Sequence, residues 1–238
     1  KIFILTLTLV ITIITLFFAS MTAFSEEVEN PDPLEGLNRG VWDFNETVIN
    51  SVARPVVDIY ETVTPTPIHN GIVNFFGNLN EIPNAANSLL QGKVKQAAND
   101  TGRFLINTTL GLGGLFDFAS KVGLHVGDGE DFGQTLAVWG VGQGPYLMLP
   151  FLGPTTFRDA PADFIDSFLD PFSYSDKLAL RVGMKGMSVI AENGSYLDQL
   201  DVISGDKYLF IRDVYLQNRE YVVSDGAIED DFGDLDDY

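Results

Sequence analysis

Apolar residues return every three or four positions over much of this chain. From Leu37 the series Leu37, Val41, Phe44, Val48 and Val52 has the spacing that stacks side chains in one stripe along a helix. That helix is expected to end at Pro55. After the Thr64-Pro65-Thr66-Pro67 break, Ile68 to Leu90 carries Ile72, Phe75, Phe76, Leu79, Ile82, Ala86, Leu89 and Leu90 on a similar face. Because Pro83 interrupts it, the pattern predicts two helical pieces joined by a kink or turn. Gly92 separates these from Lys93 to Leu110, where Val94, Ala97, Ala98, Thr101, Phe104, Leu105 and Thr108 keep the same period and Gly111 is a natural stop. Ala162, Ile165, Phe168 and Leu169 suggest a short helix, Leu178, Val182, Met187 and Ile190 a less regular one, and a last helix is expected from about Gly205 to Tyr221. The Phe and Leu stripes are read most simply as core.

Two stretches have another texture, GLGGLFDFASKVGL from Gly111 to Leu124 and VWGVGQGPYLMLPFLGP from Val138 to Pro154. Both are short apolar runs broken by Gly and Pro. Tyr146 to Leu152 is too short to span a membrane, and Pro150 argues against a central strand, so a buried loop or a shallow membrane-inserting segment fits better. At the start, Lys1 precedes an apolar run from Ile2 to Ala19, and small residues lead to Ala23-Phe24-Ser25 before Glu26 and Glu27. That pattern reads as a secretory signal peptide over residues 1–25, cut after Ser25. The alternative is an uncleaved anchor, and both place the remainder outside the cytoplasm. Residues 26–221 read as one helical domain. Residues 222–238, which hold Asp225, Glu229, Asp230, Asp231, Asp234, Asp236 and Asp237, read as a disordered acidic tail.

Composition narrows the function. The 238 residues include 14 Lys plus Arg against 33 Asp plus Glu, a formal charge of -19. Such a chain repels phosphate backbones and anionic lipid surfaces, so nucleic acid is excluded as a partner and membrane contact must come from apolar insertion. With no cysteine, thiol nucleophiles, thiolate metal sites and N-terminal acylation on Cys are not expected. Catalysis lacks its parts. There is no G-x-S-x-G elbow, the two histidines His69 and His125 sit beside loop signals, and neither Gly111, Gly113, Gly114 nor Gly140, Gly142, Gly144 completes a nucleotide loop. Paired acids such as Glu130-Asp131 read as solvated charge rather than a calcium loop. No enzyme activity, cofactor or metal is expected. Arg39, Arg54, Arg103, Arg158 and Arg212 are expected in structural ion pairs, with lipid phosphate as the minority alternative.

Specific words in the chain go further. DPLEGLNRGVWDFN (Asp32 to Asn45), ARPV (Ala53 to Val56), NGIVNFFGNLNEI (Asn70 to Ile82), LLQGK (Leu89 to Lys93), GRFLINTTLGLGGLFD (Gly102 to Asp117), EDFGQTLAVWGVGQGPYLMLPFLGP (Glu130 to Pro154) and RDVYLQNREY (Arg212 to Tyr221) together resemble the MlaA family, also called VacJ. The resemblance runs from about Asp32 to Tyr221 in matching order. It implies an all-α, ring-like domain in the inner leaflet of the outer membrane, with an amphipathic channel and short Gly/Pro-rich apolar loops. It also implies phospholipids as cargo, an outer-membrane trimeric porin as partner, and a soluble periplasmic lipid carrier that receives lipid removed from the outer leaflet. On this reading Asn45, Arg103 and Asn107 give the channel its polarity. The segment Gly111 to Leu124, with Gly113, Gly114, Leu115 and Phe116, is the mobile hairpin at its mouth, and Asp43 and Phe44 control opening by packing. Most members of the family are lipoproteins, whereas this sequence has no Cys, so attachment is expected through apolar loops, the porin or an uncleaved first helix. The rival reading is a porin-binding structural adaptor that moves no lipid.

Overall fold

The computed structural model describes residues 31–194 and 196–227, so the signal-peptide reading and most of the acidic tail lie outside the described residues. The chain forms helices α1 (Glu35–Val48), α2 (Arg54–Val63), α3 (Thr66–Leu90), α4 (Val94–Thr109), α5 (Phe132–Val138), α6 (Asp159–Asp166), α7 (Leu178–Asn193), α8 (Tyr196–Val202) and α9 (Lys207–Val223). A two-stranded antiparallel hairpin, β1 (Tyr146–Leu149) and β2 (Gly153–Thr156), stands between α5 and α6. The fold is mainly helical, as the periodicity predicts, and no described helix is long and apolar enough to cross a membrane.

Two prolines behave differently from expectation. Pro55 does not end the first helix. The chain passes through a π-helical turn, Ile49–Ala53, and continues as α2 with Pro55 in its first turn. Proline cannot donate to the carbonyl four residues back and its ring crowds that carbonyl, and the wider turn relieves both constraints. Pro83 lies inside one continuous α3 rather than between two pieces. Packing along the whole of α4 and the side-chain bonds that α3 makes on every turn hold it helical.

Tyr146 to Leu149 also departs from the loop reading. It is a strand, paired Tyr146↔Thr156, Leu147↔Thr155, Met148↔Pro154 and Leu149↔Gly153. Pro150 falls in the turn and Pro154 on the outer strand, positions where a missing N–H costs no ladder bond. Phe151 at the tip has φ +65° and stands 73% exposed.

The largest departure concerns which way the helices face. On α1 Leu37 and Phe44 are exposed, as is Val52 in the π turn beyond it, and Val41 is only partly buried, while Asn38, Trp42 and Asn45 are buried. α4 buries Ala97, Asp100, Arg103 and Asn107 and exposes Val94 and Leu105. α3 buries Asn78, Glu81, Asn87 and Ser88 beside Phe76. Among the described residues, buried polar and charged side chains outnumber buried apolar ones. Among the described residues, buried apolar side chains form two small clusters, Leu136 with Val141 and Ala162, and Trp42 with Tyr146, Met148 and Tyr208. Val56, Ile59 and Val63 on α2, Phe164 and Phe168 on and beyond α6, and Leu178 and Val182 on α7 all face outward. Apolar surface this extensive marks contact with lipid or protein.

Candidate functional site

The polar interior is organised by α3, whose side chains fasten α4, α5, α6 and the loops beside them. Asn74 Nδ2 donates to the Leu115 carbonyl at 3.2 Å, and Asn78 Nδ2 to Thr108 Oγ1 at 2.9 Å. Glu81 accepts from Arg103 Nε at 2.5 Å with both side chains buried. Asn84 Oδ1 accepts from the Glu130 N–H, and Asn87 bridges Asp166 and Thr135. Burial raises the Glu81 carboxyl, and Arg103 only partly offsets it.

Arg103 and Asn107, one turn apart on α4, reach from this interior to the segment Gly111 to Leu124. Arg103 donates to Ser120 Oγ at 3.1 Å, to the Leu124 carbonyl at 2.7 Å and to Asp117 at 3.4 Å. Asn107 donates to Asp117 Oδ1 at 3.1 Å and accepts from the Ala119 N–H at 2.9 Å. Burial works to raise the Asp117 carboxyl, but hydrogen bonds from the Ser120 hydroxyl and N–H, then Asn107 and the Arg103 charge, carry it below the usual carboxylate range. The backbone here needs its glycines. A Cβ on Gly111 would lie 2.2 Å from the Phe116 carbonyl oxygen, and one on Gly114, at φ +97°, would strike Asn78. Leu112 adopts φ +54° beside Gly113 at φ +74°, and this turn leaves Leu110, Leu112, Leu115 and Phe116 exposed. The segment is thus an apolar tip on a firmly tied polar base.

A second group lies on α1. Asn38 Nδ2 donates to the Tyr146 carbonyl at 3.1 Å and its Oδ1 accepts from the Met148 N–H at 3.0 Å. Asn45 repeats the pattern with the Leu149 carbonyl at 2.9 Å and the Phe151 N–H at 2.8 Å. Seven residues of helix rise about 10.5 Å, close to the roughly 10 Å of three strand residues, so the two amides stand in for a missing strand along β1. Phe44 and Phe151 meet edge to face with centroids 5.0 Å apart, both rings still exposed. Asp43 is exposed and borders a cleft of about 400 Å³ with Arg39, Glu46 and Lys207. The sequence-derived candidates therefore gather in two places: Asp43, Phe44 and Asn45 by the hairpin, and Arg103, Asn107, Gly113, Gly114, Leu115 and Phe116 by the second loop. No hydrogen bond, ion pair or ring contact joins the two groups among the described residues.

The five singled-out arginines all meet carboxylates. Arg39 bridges Glu35 and Asp206, Arg54 pairs with Asp201, Arg103 with Glu81, Arg158 with Asp159, and Arg212 with Asp213 and, at 3.5 Å, Asp32. His69 lies within α3, its Nδ1 3.1 Å from the Tyr60 hydroxyl, and His125 is exposed. Sequence reasoning missed Arg219. On α9, it holds both oxygens of Asp131, the residue capping α5, at 2.5 and 3.0 Å, and Asp159 at the start of α6 at 3.0 Å. Burial opposes the Arg219 charge, yet these acids raise it above the ordinary guanidinium range, and in return Arg219 pulls Asp131 down against its own burial. The signal available was Asp131 as an N-cap before an apolar run.

Comparison with known proteins agrees with this geometry. The model of the family described as MlaA lipoprotein matches residues 30–222. The chain belongs to the MlaA family. An MlaA relative from Escherichia coli strain K12, named intermembrane phospholipid transport system lipoprotein MlaA, is 34% identical over 238 aligned positions, covering 93% of this chain and 94% of the relative. The MlaA of Haemophilus influenzae, with the same name, is 33% identical and covers 84% of this chain and 82% of its own. A solved structure concerned with maintenance of bacterial outer membrane lipid asymmetry superposes with TM-score 0.71 at 35% identity, covering 82% of this chain and all of its own. These relatives are named as transport lipoproteins, not as enzymes.

Proposed function

We propose that this MlaA-family chain is the outer-membrane component of an intermembrane phospholipid transport system, which removes mislocalised phospholipid from the outer leaflet and so maintains lipid asymmetry. The observation that carries the reading is the inverted distribution of polarity, amides and ion pairs inside and aliphatic side chains outside. A phospholipid needs both kinds of surface, a polar route for its head group and apolar walls for its chains. The outward stripes of α1, α2 and α7 attach the protein to the membrane by apolar insertion, which suits a chain of net charge -19 that anionic head groups repel. An outer-membrane trimeric porin is the lateral partner and a soluble periplasmic carrier the acceptor of the extracted lipid. Arg103 and Asn107 act at the lipid path by fixing the base of the Gly111 to Leu124 segment, whose tip, Leu115 and Phe116, meets acyl chains. Asp43, Phe44 and Asn45 set the position of the hairpin.

Deletion of the gene in its native host, with surface phospholipid quantified by a membrane-impermeant amine-reactive probe, tests this. A rise in outer-leaflet phospholipid that complementation reverses is expected. An unchanged level in an intact envelope would sink the conduit and leave the porin-binding adaptor.

A further inference from the structure

The first half of α7 (Leu178–Asn193) has no ordinary inward face. Residues 178 to 183 are all exposed. Leu178 and Val182, four apart on one side, each stand 63% exposed, while Leu180, on the opposite side, is 43% exposed. A surface helix covers its one apolar stripe, whereas this half-helix leaves aliphatic side chains open on both flanks. No side chain caps its N-terminus. The segment is nevertheless moored at both ends. Before it, Phe172 in the turn Pro171–Tyr174 meets Phe75 of α3, ring centroids 6.3 Å apart. Beyond it, Ala191 is buried, and a Cβ on Gly194 would lie 3.2 Å from Val57 Cγ1 of α2. Between these moorings, Leu178 to Met187 make no side-chain hydrogen bond, ion pair or ring contact among the described residues.

The same stretch carries Gly183 and Gly186, where an added Cβ would meet nothing within 4 Å. Neither has a positive φ, so neither packing nor backbone geometry requires glycine there. Each weakens the local helix about fivefold relative to alanine. Gly36 and Gly40 on α1 are as open, but Asn38 and Asn45 bind that helix to the hairpin. Gly77 on α3 is open too, and its neighbour Asn78 is tied to α4. On α7 no such bond offsets the two glycines.

We propose that Leu178 to Gly186 is a lateral gate: it unwinds and bows away from α3 between its two moorings, letting an acyl chain pass between the surrounding bilayer and the polar interior. The gate rests on the transport reading and names where lipid crosses the wall of the domain. Local opening belongs to segments with few buried apolar contacts and weak local structure, and this segment combines the two. α7 packs on α3, the helix that organises the polar interior. An acyl chain on either flank of α7 meets aliphatic side chains, Leu178 and Val182 or Leu180, so the gate moves without exposing an ion pair or a buried amide.

The test combines amide hydrogen exchange of the full chain in detergent micelles with surface phospholipid measured in the native host after deletion and complementation. Wild type is compared with G183A/G186A and with G36A/G40A on α1. In wild type, amides 178–187 should exchange at least about tenfold faster than those inside α4. G183A/G186A should slow them about 25-fold and fail to restore a low level of surface phospholipid, while G36A/G40A should do neither. Wild-type exchange as slow as that of α4 would overturn the gate. So would full complementation by G183A/G186A despite slowed exchange, or its failure to fold, since both methyl groups enter open space. A deletion that leaves surface phospholipid unchanged would instead remove the transport reading and the lipid passage with it, and exchange would still decide whether α7 opens.

Discussion

The two halves of the molecule hold together by opposite means. Between α3 and α4 the adhesive is polar: Glu81 on Arg103, Asn78 on Thr108, Ser88 on Asp100, with the Gly111 to Leu124 segment tied on by Arg103 and Asn107. Where α1, the hairpin and α9 meet, Trp42, Tyr146, Met148 and Tyr208 form an apolar and aromatic cluster of the kind water-soluble proteins use. Tyr146 stacks edge-on with both Tyr208 and Tyr215. On the membrane attachment proposed above, lipid around the outer faces accounts for the difference. Burying an aliphatic side chain away from lipid gains nothing from water, so helices bathed in lipid associate through hydrogen bonds, ion pairs and close packing instead. The cluster beside α9 instead keeps its apolar side chains inward, where the gain from leaving water persists.

The sharpest way to break this comparison is to remove one member of a polar pair. Arg103→Ala leaves Glu81 buried without its partner and releases three further bonds to the second loop. It should cost about 3–5 kcal/mol in denaturant unfolding of the detergent-solubilised protein. Replacing both partners by Met should recover wild-type stability or exceed it by about 1–4 kcal/mol. A double variant as unstable as the single one would show that the pair does more than satisfy its own charges.

In the apolar half the corresponding change is Asn38→Ala, which strands the Tyr146 carbonyl and the Met148 N–H beside the cluster. At 1–3 kcal/mol for each orphaned group, a loss of about 2–6 kcal/mol is expected in the same assay. A smaller coupling belongs to the Phe44–Phe151 contact at the hairpin tip. A double-mutant cycle to Leu should return about 0.5–1.5 kcal/mol of interaction energy. Zero coupling would mean that the tip is held by Asn45 alone.

Much of this was legible in the chain. The spans of α4 and α9 and the outer bounds of α3, though not its continuity through Pro83, follow from the apolar period and its Gly and Pro breaks, and the family from the words spread between Asp32 and Tyr221. Facing was not legible, because a period of 3.6 says which residues share a side and not which side meets protein. The series Leu37, Val41, Phe44 and the series Asn38, Trp42, Asn45 have the same spacing, and only the partners of the two asparagines, more than a hundred residues away, select the second as interior. Arg219 was hidden for the same reason, its acids Asp131 and Asp159 lying 88 and 60 residues upstream. The hairpin was obscured by two prolines that occupy its turn and outer strand rather than a central ladder.

The outward stripes give the smallest expected effect on folding and the most selective test of the comparison. Val56 and Ile59 on α2 are exposed at 43% and 64%, and neither belongs to an apolar cluster of the interior. Their replacement by Ser removes methyl groups that lie outside the interior clusters, so unfolding in detergent should change by less than about 0.5 kcal/mol. Partition onto liposomes should fall nonetheless, because each aliphatic side chain withdrawn from the bilayer forfeits about 1.5–3 kcal/mol of transfer energy at full burial. Two such losses amount to at least tenfold in binding even where insertion is only half complete. A variant that kept its liposome affinity but lost stability would reverse the assignment, placing α2 in a protein interface and the lipid elsewhere.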